Sequence, residues 1–456
     1  MYKEDTIAAI ATPLGEGGVA IVRMSGLNAE RIAGEIFHSS GPRNGKLKSH
    51  ILHHGTIHDP RCGAVLDEVL LTIMRKPRSY TGEDVVEVHC HGSHVLVQEI
   101  LELVLAHGAR QADRGEFTKR AFLNGRLDLT QAEAVLDVVR SRTSKSAKLA
   151  IGQVRGELSR WVDDLRERLL DILVHVEAAI DFPEEELDLL DRSQLSAQIR
   201  ALHDRIGALI DTYEWGRLYR DGARVCIAGR PNVGKSSLLN TLVGEERVIV
   251  TPEAGTTRDV IEESINLDGL PVVLWDTAGI RETNNQVEKI GVDFSLRRLE
   301  EADSVLVVLD GSVPLAPEDK AVIAAVGSKK ALFVVNKADL PASLTGEELR
   351  SFTNDAVFVS ATEGRGVDNL KRTLRRLLMS CSHEPEIVVT NARHKAALQR
   401  AQESLKRSLQ ACAADLPSEI LAVDLQETKE ALEEIVGVVT NDEILERIFS
   451  EFCIGK

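Results

Sequence analysis

The chain has little of several features that mark common classes of protein. Aromatic residues are 4% of its 456 residues, and 55 Lys and Arg stand against 71 Asp and Glu, for a net charge of −16 at pH 7. Sequence-independent affinity for nucleic acid comes mainly from an excess of Lys and Arg. This chain is therefore not a basic protein that covers RNA or DNA through its overall positive charge. Its longest apolar runs are far shorter than the roughly 20 residues that span a membrane.

Cysteine pairs of the C-x-x-C type are also absent. The six cysteines are Cys62, Cys90, Cys226, Cys381, Cys412 and Cys453. Their spacing favours reduced thiols. Residues 1–5 do not resemble a signal peptide, and we expect a cytoplasmic protein. In the run His89-Cys90-His91 the two histidines would share one face of a strand and the cysteine the other, which disfavours a zinc site.

What the chain does contain is a phosphate-binding motif. Residues 228–237 read Ala-Gly-Arg-Pro-Asn-Val-Gly-Lys-Ser-Ser, which fits the pattern G-x-x-x-x-G-K-[ST]. A buried-strand pattern precedes the motif at 224–228 and a helical pattern follows at 237–242, as the motif requires. The backbone N–H groups of such a loop face phosphate oxygens at a helix N-terminus. Lys235 can reach the terminal phosphates, and the Ser236 hydroxyl can bind Mg2+.

Three further motifs, each at the end of a predicted strand, indicate that the bound nucleotide is a guanine nucleotide. The apolar run 272–275 ends in D-T-A-G at 276–279, where Asp276 would hold Mg2+ through water and the Gly279 N–H would face the γ-phosphate. The run 332–335 ends in N-K-A-D at 336–339.

The last Asp of that motif, Asp339, can accept both N–H groups of a guanine edge, which adenine does not offer. A site built for that pair leaves buried polar groups unpaired with the wrong base. A final strand at 357–359 leads into Ser360-Ala361, a turn that usually backs the base. Together the four motifs predict a guanine-specific P-loop GTPase domain.

The residue that orients the attacking water is less clear from the motifs. Small signalling GTPases carry a glutamine after the D-x-x-G glycine, but Ile280 stands there and cannot orient water. Two interpretations of Glu288 are open: a water-orienting carboxylate or a solvated helix residue. Asn232 in the phosphate loop could ligate a monovalent cation or stabilise the turn. The segment 251–259 is the candidate switch I, with a threonine for the Mg2+ shell.

The pattern around the GTPase motifs indicates more than one domain. At roughly 100–200 residues each, 456 residues correspond to about three domains. Short β-type runs at 6–10, 19–22 and 85–88, with a helical stretch near 95–105, predict an α+β region over 1–118. Apolar stripes at helical spacing then predict long helices on both sides of the GTPase motifs. The stripes are Val154, Leu158, Trp161, Leu165, Leu169, Ile172 and Val176, and then Leu421, Leu425, Leu432, Ile435 and Val439. We expect these two halves to pack together.

Further motifs along the chain point to one family. They are Asp5-Thr6-Ile7, Ala11-Thr12-Pro13, the segments 17–23, 80–84, 115–124 and 255–259, and the final Phe452-Cys453-Ile454-Gly455-Lys456. Through them the chain resembles, along essentially its whole length, the MnmE (TrmE) family of tRNA uridine-modification GTPases. The C-x-G-K ending is highly specific, because it must match at the last four residues.

The resemblance implies a multidomain fold. An α+β N-terminal domain, 1–118, would bind tetrahydrofolate and form a homodimer. An all-α helical domain in two parts, 119–216 and 381–456, would carry an inserted α/β, Ras-like P-loop GTPase domain at 217–380. GTP and K+ would bring two GTPase domains together without an arginine finger.

The motifs and the resemblance also predict individual site residues. The predicted GTP-binding residues are Gly229, Asn232, Val233, Gly234, Lys235, Ser236, Ser237, Thr251, Thr256, Thr257, Asp276, Thr277, Ala278, Gly279, Asn336, Lys337, Asp339, Ser360 and Ala361. By resemblance, Mg2+ would be held by Ser236 and Thr257, and K+ by Asn232, Thr251, Thr256 and the backbone of Glu253. The predicted catalytic residues are Lys235 and Glu288, which becomes the water-orienting residue.

The resemblance assigns a second site to the N-terminal domain. A one-carbon tetrahydrofolate, in the 5-formyl or 5,10-methylene form, would contact Arg23, Glu87, Arg126 and Lys456. Cys453 is a candidate catalytic thiol beside it, and a passive role for this thiol stays open.

The implied reaction forms an aminomethyl or carboxymethylaminomethyl group at C5 of the wobble uridine of certain tRNAs. A flavoprotein of the MnmG (GidA) family would share the reaction in a heterotetramer or larger complex and provide much of the contact with tRNA. Two rival classes are a regulatory GTPase of the ribosome-assembly type and a stand-alone folate enzyme. The first lacks a basic RNA-binding tail after the GTPase motifs, and the four intact motifs disfavour the second.

Overall fold

A computed structural model describes most of the chain. The described residues are 5–13, 15–41, 47–181, 191–246, 263–276, 298–353, 355–379, 385–439 and 441–456. The chain divides into two compact units. The first comprises Met1–Leu136, Gln153–Leu170 and Gln426–Lys456, and the second Asp137–Gly152 and Asp171–Leu425.

A seven-stranded sheet forms the centre of the first unit. Its strands are β1 (Ile7–Ile10), β2 (Gly17–Ser25), β3 (Phe37–Ser39), β4 (Leu52–Asp59), β5 (Ala64–Met74), β6 (Val85–Gly92) and β7 (Arg110–Gln111). Their order is β3-β4-β5-β6-β2-β1-β7, and neighbours are antiparallel except β1 and β7. The predicted β-type runs at 6–10, 19–22 and 85–88 are thus strands of this sheet.

Helices cover the two faces of this sheet unequally. On one face, α1 (Ala29–Ile36) and α2 (His94–Ala106) pack against alternating apolar residues of β2, β5 and β6. Near β1 on the other face, α3 (Glu116–Leu123) places the buried Phe117 against Ile7 and Ala9. The period of two along the strands explains this division, since successive side chains point to opposite faces.

The chain between the sheet and the phosphate loop is helical, as predicted. Its helices are α4 (Leu129–Arg140), α5 (Ser144–Val154), α6 (Glu157–Asp181), α7 (Arg192–Asp211) and α8 (Tyr213–Asp221). The predicted stripe on α6 is confirmed at Leu158, Leu165, Leu169, Ile172 and Val176, all of which are buried. Val154 does not belong to it, because Val154 ends α5 and two further residues separate it from the start of α6.

A six-stranded sheet lies at the centre of the second unit. Its elements in chain order are β8 (Ala223–Ala228), α9 (Lys235–Glu246), β9 (Glu263–Leu267), β10 (Leu270–Asp276), β11 (Ser304–Asp310), α10 (Pro317–Val326), β12 (Ala331–Asn336), α11 (Gly346–Arg350), β13 (Ala356–Phe358) and α12 (Val367–Leu378). The strand order is β13-β12-β11-β8-β10-β9, and all pairs are parallel except β9 and β10. All seven residues of β11 are buried, as expected for a strand covered on both faces.

Three helices follow: α13 (Ala392–Ala413), α14 (Ser418–Val436) and α15 (Asp442–Ser450). In the predicted second stripe Leu421, Leu425, Leu432 and Ile435 are buried on α14. Val439 does not belong to the stripe: it is 52% exposed and lies beyond the end of α14, where helical periodicity no longer applies. The packing of the two stripes against each other stays a prediction.

The fold class predicted from the sequence is confirmed: an α+β N-terminal part, a helical part and an α/β P-loop part. Within the described ranges, no helix is both long and apolar enough to cross a membrane.

Candidate functional site

The phosphate loop connects the end of β8 to the first residue of α9. Asn232 has a φ of 64° and Gly234 a φ of 95°, so the loop turns through the left-handed region twice. Asn tolerates that region better than most residues. At Gly234 a Cβ atom would collide with the Asn336 side-chain nitrogen, so only glycine fits. The turn directs the loop to the N-terminus of α9, which is where anions bind to helices.

Lys235 lies inside this loop. Its side chain is buried, and Nζ donates hydrogen bonds to the carbonyl oxygens of Gly229 at 2.8 Å and Arg230 at 2.9 Å. Ser236 and Ser237 follow on the exposed side of the first turn of α9. The ammonium group is therefore held by the same loop that would surround the phosphates.

Asn336 joins the phosphate loop to the loop after β13. Its Nδ2 donates to the Val233 carbonyl oxygen at 2.9 Å, and its Oδ1 accepts from the Ala361 N–H at 3.1 Å. Asn336 is 2% exposed. Because both ends of the amide are satisfied inside the protein, Asn336 fixes the distance between the phosphate-binding and base-binding regions.

Asp339 and Ser360 lie together at the predicted base-binding region. A hydrogen bond from the Ser360 side chain is the main cause that lowers the pKa of the exposed Asp339 carboxyl below its ordinary value. The Ser360 side chain is fully buried. The carboxylate therefore stays ionised and can accept two N–H groups.

Several predicted site residues lie outside the described residues, and the structure places none of them. They are Thr251, Glu253, Thr256, Thr257, Thr277, Ala278, Gly279, Ile280 and Glu288. Asp276 is the last residue of β10, at the same sheet edge as the phosphate loop, but its side chain is not described.

Sequence reasoning missed three residues that support this site. Asp310, the last residue of β11, forms an ion pair with Lys337 at 2.6 Å. Asp319 binds Arg230 of the phosphate loop, with Oδ2 to Nε at 3.1 Å. Thr241 of α9 donates to the Ala361 carbonyl oxygen at 2.8 Å. Asp310 carried a usable signal, since it ends a buried parallel strand at the carboxyl edge where ligands bind.

The first unit holds a separate polar cluster centred on Arg23. Arg23 of β2 and Glu87 of β6 are direct cross-strand partners, and Nε lies 2.8 Å from Oε1. Both side chains are mostly buried. The guanidinium carbon lies 5.7 Å from the ring centres of both Tyr80 and Phe117. Cation–π contact with two aromatic rings, together with the Glu87 ion pair, restricts the orientation of the Arg23 side chain.

Residues 453–456, which we call the C-terminal strap, reach this cluster. The Gly455 carbonyl oxygen accepts from Arg23 Nη1 at 3.2 Å, and the Lys456 carbonyl oxygen accepts from the Phe117 N–H at 3.2 Å. Gly455 has a φ of 95°, and a Cβ there would collide with the Ile10 carbonyl oxygen. Burial, and then the positive charge of Arg23, lower the pKa of the Lys456 ammonium.

The other predicted members of this cluster are placed as follows. Arg126 is exposed and donates to the Ser79 carbonyl oxygen at 3.1 Å. Cys453 is exposed on the C-terminal strap.

Cys90, in the run His89-Cys90-His91, is buried and turned away from His91, whose Nδ1 lies 2.7 Å from Asp67 Oδ1. The alternation along β6 thus separates this cysteine from its neighbouring histidines, as the pattern predicts.

The phosphate loop after β8 and the two base-facing loops after β12 and β13 all lie at the carboxyl ends of the parallel strands of one sheet. That arrangement defines a Ras-like P-loop GTPase domain.

Comparison with known proteins identifies the family. The model of the MnmE helical domain matches residues 129–453, and the model of the GTP-binding protein TrmE N-terminus matches residues 6–126. The chain is 45% identical to the tRNA modification GTPase MnmE of Geobacter sulfurreducens over 460 residues, covering 100% of both chains. It is 44% identical to the protein of that name from Natranaerobius thermophilus over 457 residues, covering 99% of this chain and 100% of that protein. The chain belongs to the MnmE family of tRNA modification GTPases.

A solved structure of Aquifex aeolicus Era bound to GDP.AlF4− is 28% identical and covers 40% of this chain and 66% of that one. Its TM-score of 0.28 is too low to bear on the fold.

Proposed function

We propose that this protein is a K+-dependent GTPase that acts in the cytoplasm to modify C5 of the wobble uridine in certain tRNAs. GTP would be hydrolysed to GDP and phosphate, and the modification would be an aminomethyl or carboxymethylaminomethyl group. We propose the domain division predicted from the sequence. The N-terminal domain would comprise residues 1–118, the helical domain 119–216 and 381–456, and the GTPase domain 217–380.

The observation that carries the proposal is the double hydrogen bond of Asn336. It ties the Val233 carbonyl of the phosphate loop to the Ala361 N–H of the base loop. A nucleotide whose phosphates lie at Lys235 would then present its base to Asp339. The ionised Asp339 suits guanine, because a carboxylate accepts both N–H groups of that base.

The residues of the loop also suit the proposed metal ions. Mg2+, held by Ser236 and Thr257, would neutralise phosphate charge. K+, held by Asn232, Thr251, Thr256 and the Glu253 backbone, would add the positive charge that an arginine finger supplies elsewhere. Support comes from Asn232, whose exposed side chain stands on a left-handed turn of the loop. Glu288 would then orient the attacking water.

The Arg23 cluster suits an anionic ligand such as a one-carbon tetrahydrofolate. Two cationic side chains, Arg23 and Lys456, lie close enough for the charge of one to lower the pKa of the other. A ligand carboxylate would relieve that repulsion. Arg23, Glu87, Arg126 and Lys456 would hold the folate, which would supply the one-carbon unit near Cys453.

The acidic chain suits a division of labour in RNA binding. With a net charge of −16 it has no general excess of cations for phosphates. We therefore propose that it forms a homodimer through 1–118 and works with an MnmG (GidA) family flavoprotein in a heterotetramer or larger complex. That partner would carry much of the tRNA contact.

The test is mass spectrometry of wobble uridines in cells that lack this protein and are complemented with the full chain. The wild-type chain should restore the modification, and Lys235→Ala should not. Lys406→Ala is the matched control, because Lys406 is exposed on α13 and pairs with the exposed Glu403 at 3.2 Å, a surface ion pair of little energetic weight. Normal modification in the deletion strain would instead favour a regulatory GTPase that takes no part in the chemistry.

A further inference from the structure

The side chain of Lys337, in the N-K-A-D motif, is held by a carboxylate that lies outside every GTPase motif. Asp310 ends β11, and its Oδ2 lies 2.6 Å from Lys337 Nζ. Asp310 pairs in parallel register with Asn336, the residue before Lys337. The exposed fraction is 7% for the aspartate side chain and 33% for the lysine side chain.

The Asp310 carboxylate is itself oriented by a turn. Its Oδ1 accepts two hydrogen bonds from Ser312, from the backbone N–H at 3.0 Å and from the hydroxyl at 2.6 Å. Burial alone would raise the pKa of Asp310, but the hydrogen bonds from Lys337 and Ser312 outweigh it and lower the pKa. One oxygen is thus fixed by the protein backbone and the other faces the lysine.

Lys337 occupies an unusual backbone conformation for its position. Its φ is 63°, in the left-handed region that lysine rarely adopts. It stands between Asn336, which is bonded to the phosphate loop, and the base-facing Asp339. A lysine side chain has four rotatable bonds, so an anchor at Nζ removes much of its conformational freedom before a ligand arrives.

We propose that Asp310 is a positioning residue for the guanine nucleotide site, which acts by holding Lys337 in its binding orientation. The inference rests on the proposed binding of guanine nucleotides by the N-K-A-D motif. Asp310 itself is not a nucleotide ligand under this proposal. Its contribution reaches the ligand through Lys337 alone, so it should help GDP and GTP equally.

The experiment is a double-mutant cycle in the full-length chain, read by titration with fluorescent GDP and GTP. Asp310→Asn should raise the Kd for both nucleotides by the same factor, about tenfold, the order expected for loss of one charge-assisted hydrogen bond. In a Lys337→Ala background the same change should cost no further affinity.

Asp303→Asn is the matched control. Asp303 precedes the other end of β11, is also partly buried, and forms an ion pair with Arg217 at 2.6 Å. The Asp303→Asn variant should be less stable to heat than the wild-type chain but should bind nucleotides with unchanged affinity. If Asp310→Asn does not fold, Ser312→Ala replaces it, because loss of the hydroxyl frees the carboxylate and should give a smaller loss with the same dependence on Lys337.

Each result decides the inference. Unchanged affinity in Asp310→Asn, or a loss that persists in the Lys337→Ala background, would overturn it while the proposed function stands. A wild-type chain that binds neither GDP nor GTP would overturn the proposed function and this inference together.

Discussion

The Asn336 side chain and the Val233 carbonyl oxygen, 103 residues apart in the chain, are joined by a 2.9 Å hydrogen bond inside the protein. This bond makes the phosphate loop and the base loop one structural unit. A nucleotide that binds to either loop therefore meets the other at a fixed distance.

Replacing Asn336 with Ala should uncouple the phosphate loop from the base loop and so weaken GTP binding. The change leaves the Val233 carbonyl oxygen and the Ala361 N–H without this partner, at about 1–3 kcal/mol for each buried group. We expect GTP affinity to fall roughly 10- to 100-fold in a fluorescent nucleotide titration. Asn240→Ala, an exposed change on α9 in the same domain, is the control and should bind GTP normally. Equal affinities in the two variants would contradict this role for Asn336.

Asp339→Asn should exchange the preferred base. The new amide can donate to the C2 carbonyl of xanthine but repels the N–H groups of guanine, so the preference should move from GTP toward XTP. We expect the ratio of the two affinities to change by at least about a hundredfold in nucleotide competition. Asp355→Asn, at an exposed position of the same domain, should keep the GTP preference. Retention of GTP preference in Asp339→Asn would remove Asp339 from this role.

GTP turnover should be much faster in K+ than in Na+. The cation would stabilise charge that develops on the phosphates in the transition state. Asn232→Gly should abolish the difference, because it removes the side-chain ligand while glycine tolerates the φ of 64°. Steady-state rates in the two salts at equal ionic strength provide the measurement. If wild-type rates were equal in both salts, the search for a positive charge would turn to an arginine such as Arg258.

Glu288→Ala should slow GTP hydrolysis while leaving GTP binding nearly unchanged. Glu288 lies outside the described residues. The prediction rests on Ile280, which cannot orient water, and on the resemblance to the MnmE family, which assigns that role to Glu288. We expect GTP affinity to be nearly unchanged and kcat to fall roughly a hundredfold or more. The same variant should lose wobble-uridine modification in cells if the reaction needs the hydrolytic cycle. Glu300→Ala, on an exposed position downstream, is the control. Near-wild-type hydrolysis would identify Glu288 as a solvated residue.

Folate binding should depend on the charge of Lys456 and hence on pH. Burial and Arg23 lower the pKa of Lys456 below its ordinary value of 10.5, and an anionic ligand favours the protonated form. Affinity should therefore be full at lower pH and decline as the pH rises through the lowered pKa. Lys456→Gln should weaken binding about tenfold and remove this pH dependence.

Calorimetric titration with 5-formyl-tetrahydrofolate at several pH values measures both effects. Lys406→Gln is the matched control, since Lys406 is exposed and pairs with the exposed Glu403 at 3.2 Å. A pH profile that Lys456→Gln shares with the wild-type chain would assign the titration to another group.

Much of the fold could be predicted because its signals are local. Phosphate-loop glycines, strand-ending motifs and apolar spacing are all features of neighbouring residues, and β8, α9, β10, β12 and β13 lie where these signals place them. Where a local pattern continued past the end of its element, the prediction was wrong: Val439 keeps the helical spacing but lies beyond α14.

The sequence by itself therefore determined the strands and loops that carry the motifs, and with them the class of ligand. Only the tertiary structure decided which distant side chains meet. Arg23 and Gly455, 432 residues apart, are joined at one cluster, and Asp310 reaches Lys337 because β11 and β12 are parallel neighbours in register. The physical reason is that short-range patterns report which face a residue occupies, whereas sheet order and register determine which side chains share that face.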